Sequence, residues 1–257
     1  MNERQRHQKI LQLLTQQPII TVDELVNVLE ASVATVRRDI NALAQAKLLK
    51  RIRGGAETLD TAPPLRLTGH SFDHSESLHT EQKRLIARKA VALCQDGETI
   101  IINGGTTTYR MAEFLGERRL HILTNSFTMA DYLLRYTSNQ VLLPGGEVYR
   151  EQNIILSPYE QDTTVDHFYA SKMFMGAYAI RPQGLIEADP LLIKAEQKLI
   201  KQAEQLIVLV DSSKFAAFGS LVLSPLNRIS TLITDSGVSE TTVAMLEQEG
   251  IEVLVVE

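Results

Sequence analysis

The chain has 257 residues, 44% of them apolar and 22% charged, which suits a soluble globular protein of two domains. No apolar run approaches the roughly 20 residues needed to cross a bilayer, and the polar start of the chain has no secretory core, so a cytoplasmic protein with no membrane partner is expected. The single cysteine, Cys94, has no partner for a disulfide or a cysteine zinc site and reads as buried filler on a helix. The net charge of −5 argues against nucleic acid only if it is evenly spread. Residues 1–56 carry nine Lys and Arg against five Asp and Glu, which leaves −9 for the remainder.

The first element is a helix from Arg4 to Gln16, with Ile10, Leu13 and Leu14 on one side and Pro18 as its stop. Thr21-Val22-Asp23-Glu24 is a capping box, in which threonine and glutamate satisfy helix-start donors reciprocally. Val22, Leu25, Val28 and Leu29 supply the apolar face of that second helix, and Glu30-Ala31-Ser32 turns the chain into a third. Ser32 is the N-cap there, and Val33, Val36, Ile40 and Leu43 recur at spacings of three and four, so they are expected to be buried. The opposite face carries Ala34, Arg38, Asn41 and Gln45, with Arg37 on its shoulder. Arginine can read guanine bidentately and asparagine or glutamine can read adenine, so this face suits a major groove. Asp39 falls on the flank, where a local charge partner is expected. Residues 48–56, with Lys50, Arg51, Arg53, Gly54 and Gly55, form a β-wing whose cations and glycines suit the sugar-phosphate backbone. A basic helix face alone is ordinary solvated surface; the capped turn, the arginine pair and the basic Gly-Gly wing together specify a winged helix-turn-helix that binds double-stranded DNA through Ser32, Ala34, Thr35, Arg37, Arg38, Asn41 and the wing.

Residues 57–80 lose periodicity and include Pro63-Pro64 and Gly69, the marks of a linker or arm. His70, His74 and His79 fall near Asp73 and Glu76, but no predicted element fixes them, and no metal is expected.

From Glu81 to the end, helix and short apolar strand alternate. Strands are predicted at 99–103, 121–124, 140–143, 172–176, 206–210, 231–234 and 252–256, and helices at 81–94, 107–115, 127–136, 191–204 and 239–248. Runs such as Leu206-Ile207-Val208-Leu209-Val210 are those of strands covered on both faces, so the domain at 81–257 is a doubly wound, mainly parallel α/β fold. Small polar residues follow the strands: Asn103-Gly104-Gly105-Thr106-Thr107, Thr124-Asn125-Ser126, Gly145-Gly146 and Asp211-Ser212-Ser213-Lys214. Any one of these is an ordinary turn. Four at equivalent strand ends point to a pocket for a phosphorylated small molecule, with Lys214 to balance its charge. No cofactor is implied.

The recognition helix from Ser32 to Ile40, the wing ending Arg53-Gly54-Gly55-Ala56 and the four strand-end segments together resemble the DeoR family of bacterial transcriptional repressors over nearly the whole chain. The resemblance implies a cytoplasmic homo-oligomer, dimer or tetramer, that represses a carbohydrate-utilisation operon. It also implies a sensor similar in fold to sugar-phosphate isomerases, with release of DNA when a phosphorylated sugar or sugar acid binds. The chain departs from the family at Asn103, where aspartate is usual before the Gly-Thr-Thr turn, and at Ser171, where aspartate commonly precedes Lys172. Asn103 and the stretch from Asn139 to Pro158 resemble the branch concerned with L-ascorbate, which makes L-ascorbate 6-phosphate a candidate effector. The alternative is a sugar-phosphate isomerase with an accessory DNA-binding domain, with Glu187, Asp189 or Glu196 as general base. None of these lies in a glycine-rich isomerase loop, and Tyr178 and Ala179 follow Gly176-Ala177 where those enzymes carry acids, so catalysis is not expected.

Overall fold

A computed structural model describes residues 3–16, 19–29, 31–46, 48–57, 72–157 and 163–257. Pro18, Glu30, Pro63-Pro64, Gly69, His70 and Pro158, used in the reading above, lie outside them. The chain divides into two compact units, Met1–Arg66 and Leu67–Glu257.

In the first unit, α1 (Glu3–Gln16), α2 (Val22–Leu29) and α3 (Val33–Gln45) pack around Ile10, Leu14, Val22, Leu25, Leu29, Val36, Ile40 and Leu43. The capping box forms: Thr21 Oγ1 accepts from Glu24 N at 3.2 Å, and Glu24 Oε2 accepts from Thr21 N at 2.7 Å. Ser32 caps α3 by accepting from Thr35 N at 3.2 Å, an interaction worth about 1 kcal/mol. Two expected core residues are exposed instead, Val28 at 47% and Val33 at 42%. At about 100° per residue the buried face of α2 is Val22, Leu25, Val26 and Leu29, which leaves Val28 to one side; Val33, in the first turn of α3, lies at the edge of its apolar stripe.

The wing strands β2 (Lys50–Ile52) and β3 (Gly55–Glu57) pair antiparallel, and a strand not anticipated from sequence, β1 (Ile19–Thr21), adds to the far side of β3. Three residues are too few to show a period of two, so this strand has no sequence signal.

The second unit is built on seven parallel strands. They are β4 (Thr99–Ile102), β5 (His121–Thr124), β6 (Gln140–Leu142), β9 (Ala170–Met175), β12 (Ala203–Leu209), β14 (Thr231–Asp235) and β15 (Glu252–Val256), in spatial order β15-β14-β12-β9-β4-β5-β6. Alternate residues face opposite cores. Ile101, Leu123, Met173, Leu206, Val208 and Leu232 join one, while Ile100, Ile102, Ile122, Phe174, Ile207 and Leu209 join the other. Burial on both faces is why these strands read as unbroken apolar runs.

Helices α5 (Thr80–Ala92), α6 (Thr106–Tyr109) with its 3-10 continuation Arg110–Glu117, α7 (Phe127–Tyr136), α9 (Pro190–Lys201) and α10 (Glu240–Gln248) correspond to the predicted helices. Cys94 is 3% exposed, and burial pushes its thiol up to about 12, so it is inert filler. Elements too short to leave a pattern were not anticipated: α4 (Phe72–Ser77), α8 (Thr163–Asp166), the hairpin of β7 (Glu147–Tyr149) and β8 (Ile154–Leu156), and the antiparallel sheet of β10 (Ala179–Arg181), β11 (Gly184–Glu187) and β13 (Leu221–Ser224). Of the supposed arm, residues 58–71 lie outside the described part, and 72–77 are helical.

The sheet order places the ligand site. The chain runs outward through β4, β5 and β6, then returns to lay β9 on the other side of β4 and continues outward through β12, β14 and β15. The strand order therefore reverses between β4 and β9, and in open parallel sheets the crevice at that reversal is where ligands bind.

Candidate functional site

Two surfaces carry the chemistry, one in each unit. On the first, Ala34, Arg37, Arg38, Asn41 and Gln45 are all exposed along α3, as their spacing requires. Ser32 is exposed and Thr35 half-buried, and their hydroxyls share a hydrogen bond of 2.9 Å. Arg51 reaches from the wing to α3, its Nη1 donating to Asn41 Oδ1 at 2.9 Å. Lys50 pairs with Glu57 at 3.0 Å. Arg37, Arg51, Arg53, Gly54 and Gly55 line a cleft between helix and wing, which gathers three guanidiniums.

The two wing glycines differ. Gly54 is exposed at φ +85°, the left-handed turn position that favours glycine. Gly55 is buried, and a Cβ there would meet the Ile20 carbonyl oxygen at 2.2 Å, so it serves the contact with β1 rather than an outward approach. Asp39 is 2% exposed and accepts from Arg6 Nε at 2.7 Å and Nη2 at 3.1 Å, with His7 Nε2 at 3.3 Å. It is a charge partner that fixes α3 to α1. Glu3, His7 and Asp39 are spaced like metal ligands, but the Arg6 guanidinium already occupies both Asp39 oxygens.

The second surface is a cavity of about 130 Å³ at the sheet's reversal point. Gly104, Gly105, Thr106 and Thr107 line it from the end of β4, Gly176, Ala177 and Tyr178 from the end of β9, and Lys214 from the loop after β12. Phe72 and Ser75 of α4 form another wall, Gln152 and Ile154 come from the β7–β8 hairpin, and Glu187, Leu192 and Glu196 complete the lining.

Other predicted site residues frame the cavity without lining it. Asn125 Oδ1 accepts from Gly104 N at 2.8 Å and holds the glycine loop. Thr124 Oγ1 accepts from Ser126 N at 3.1 Å, and Ser126 caps α7. Asp211 caps its own loop, accepting from Ser213 N at 3.1 Å. Asn103 is 1% exposed and donates from Nδ2 to Glu196 Oε1 at 2.8 Å. Gly145 and Gly146 sit after β6, at the far edge of the sheet; a Cβ on Gly146 would meet the Leu156 carbonyl oxygen at 2.2 Å, so its place is to close the hairpin. A larger cleft of about 750 Å³ lies between that hairpin and α9, but it touches none of the strand-end loops at the reversal point.

Sequence reasoning overlooked several groups here. Lys83 of α5 is 3% exposed and donates to the carbonyl of Ser75; burial pulls its pKa down to about 8, with Lys214 and Arg110 adding to the effect and Asp211 opposing it. Glu196 is 3% exposed, and burial, with Glu187 beside it, holds its carboxyl well above the usual range against the opposing hydrogen bond from Asn103. Burial also raises Glu187, opposed by the N–H groups of Asp189 and Ala188. Lys83 could have been suspected as a lysine on the apolar stripe of α5. Glu187 and Glu196 were noted only as candidate bases, because nothing local tells that β11 and α9 bring them to the cavity at the end of β4. Ser171 and Lys172 lie at the opposite end of their strand and both bond to Glu98, so the departure at Ser171 does not touch the cavity.

A winged helix-turn-helix joined in one chain to an α/β unit with a strand-end pocket is the architecture of a ligand-responsive transcriptional regulator. Residues 6–62 match the DeoR-like helix-turn-helix domain and residues 78–236 the DeoR C-terminal sensor domain. Over 255 residues, 99% of each chain, the sequence is 35% identical to the HTH-type transcriptional regulator UlaR of Shigella dysenteriae serotype 1 and, to the same extent, of Escherichia coli O1:K1. The chain belongs to the DeoR family, and it is a transcriptional regulator rather than an enzyme. Among solved structures, ribose 5-phosphate isomerase A of Methanocaldococcus jannaschii matches 53% of this chain and 54% of its own at 21% identity, with a TM-score of 0.40, a loose likeness. No helix among the described residues is long and apolar enough to cross a membrane.

Proposed function

We propose that this regulator is a cytoplasmic homo-oligomeric repressor of a carbohydrate-utilisation operon. Its winged unit, residues 1–56, grips operator DNA through α3 and the wing. A phosphorylated sugar or sugar acid, with L-ascorbate 6-phosphate as the candidate, enters the cavity in residues 81–257 and releases the DNA. The observation that carries the effector reading is the meeting of the Gly104–Thr107 loop and Lys214 at the point where the strand order reverses. Lys214 forms no ion pair among the described residues, which leaves its ammonium available to a phosphate.

Release requires that the effector bind the DNA-incompetent arrangement more tightly, since equal affinity for both shifts nothing. Residues 57–80 join the two units and carry that preference; one end of this segment, α4, is a wall of the cavity through Phe72 and Ser75. The test is operator binding by the full chain in a mobility-shift assay with and without L-ascorbate 6-phosphate. Release at micromolar to millimolar effector supports the proposal; no sequence-selective binding in either condition overturns it.

A further inference from the structure

The cavity has a polar floor that the protein leaves unfinished. Glu196 lines it, yet only one of its carboxyl oxygens has a partner: Oε1 accepts from Asn103 Nδ2, and Oε2 has none. Asn103 Oδ1 is unpartnered as well. A buried polar atom left without a hydrogen bond costs about 1–3 kcal/mol, so two such atoms in one pair mark a place for something else. The charged groups that face Glu196 are Glu187 from β11 and Asp189 from the start of α9, both acids; Lys214, the cation nearest in effect, acts on Glu187.

On the reading of this cavity as the effector pocket, we infer that Glu196 is its specificity residue. It is a neutral carboxylic acid, oriented by Asn103, that donates from Oε2 to an acidic oxygen of the effector. The ligand class is then a phosphorylated sugar acid or acidic enol-lactone rather than a neutral sugar phosphate. A carboxyl buried away from cations and beside other carboxyls keeps its proton. Asn103 decides where that proton sits: an N–H donated to Oε1 makes that oxygen the acceptor and leaves the O–H on Oε2, the oxygen without a partner. A neutral acid facing an ionised ligand oxygen forms a charge-assisted O–H···O⁻ bond, roughly twice as strong as one to a neutral hydroxyl. The same acid, once ionised, repels that ligand.

The test compares two probes with the same six-carbon chain and the same phosphate, 6-phosphogluconate and sorbitol 6-phosphate, which differ only in carboxylate against hydroxymethyl at carbon 1. Both are titrated calorimetrically into the full chain at pH 7. The wild type is expected to prefer the acid by about tenfold or more at pH 7. Glu196→Gln, which keeps a neutral donor, retains the preference. Glu196→Leu binds both probes alike, and a cooperative thermal transition of the sensor unit in each variant confirms that it folds. Equal affinities in the wild type, or an unchanged ratio in Glu196→Leu, overturn the inference and leave the pocket standing. Failure of both probes and of L-ascorbate 6-phosphate to bind the wild type overturns the pocket itself, and the inference with it.

Discussion

Arg51 on the wing donates to Asn41 on the recognition helix at 2.9 Å, so the element expected to touch phosphate and the one expected to touch bases are already joined. The bond takes up the Asn41 carbonyl oxygen and leaves its amide N–H groups and the rest of the Arg51 fork for DNA. Arg51→Ala is therefore expected to do two things. It removes a phosphate contact, which weakens all sequences about equally and lowers the salt slope by about 1. It also frees Asn41 to rotate, so Asn41→Ala and Arg51→Ala should change preference at the same base position. Mobility shifts over a salt series, with a panel of single-base operator variants, measure both. An unchanged slope in Arg51→Ala removes the phosphate assignment.

Arg38 is exposed in the middle of the same face and has no ion-pair partner among the described residues. Arg38→Ala is expected to weaken operator binding by about 1–3 kcal/mol and to relax preference at one position, as loss of a bidentate base contact does. Unaltered affinity and preference would exclude base reading by Arg38.

What the sequence disclosed divides by the range of the interactions involved. The recognition helix was legible because its cap, its apolar stripe and its exposed arginines lie within fourteen residues and obey one period. The central sheet strands were legible because burial on both faces leaves continuous apolar runs such as Leu206 to Val210. The cavity was only half legible. Gly104–Thr107 and Lys214 sit in turns directly after strands, where polar residues stand out. Glu196 and Asn103 meet across 93 positions of sequence through a chain reversal that no local pattern encodes, and Glu196 alone looks like any solvated helix glutamate. Gly145 and Gly146 were misplaced for the opposite reason: a strand followed by Gly-Gly looks the same at the sheet's edge as at its centre, and only the strand order tells them apart.

Lys214→Ala is expected to leave operator affinity unchanged, because the substitution lies in the sensor unit, and to abolish release by L-ascorbate 6-phosphate. In a thermal-shift assay the effector should stabilise the wild type by an amount that grows with its concentration and leave the variant's transition in place. Normal release of DNA from Lys214→Ala would put the phosphate elsewhere.

Lys83 supplies a pH test of the same region. Its ammonium is buried against the carbonyl of Ser75, and its pKa in the folded protein is about 8, against 10.5 for an ordinary lysine. Between those two values the unfolded chain holds the proton that the folded one has lost, so the lysine's contribution to stability rises with pH across that window; below about pH 8 the buried charge opposes folding. Lys83→Met should accordingly be more stable than the wild type at pH 7, with the gap closing toward pH 10. A phosphate bound next to Lys214 would favour the charged lysine, so the wild type should take up a proton on binding L-ascorbate 6-phosphate at pH 8.5, and Lys83→Met should not. Calorimetric titration in two buffers of different ionisation enthalpy measures that proton directly. Equal proton uptake by both proteins would show that Lys83 does not sense the phosphate.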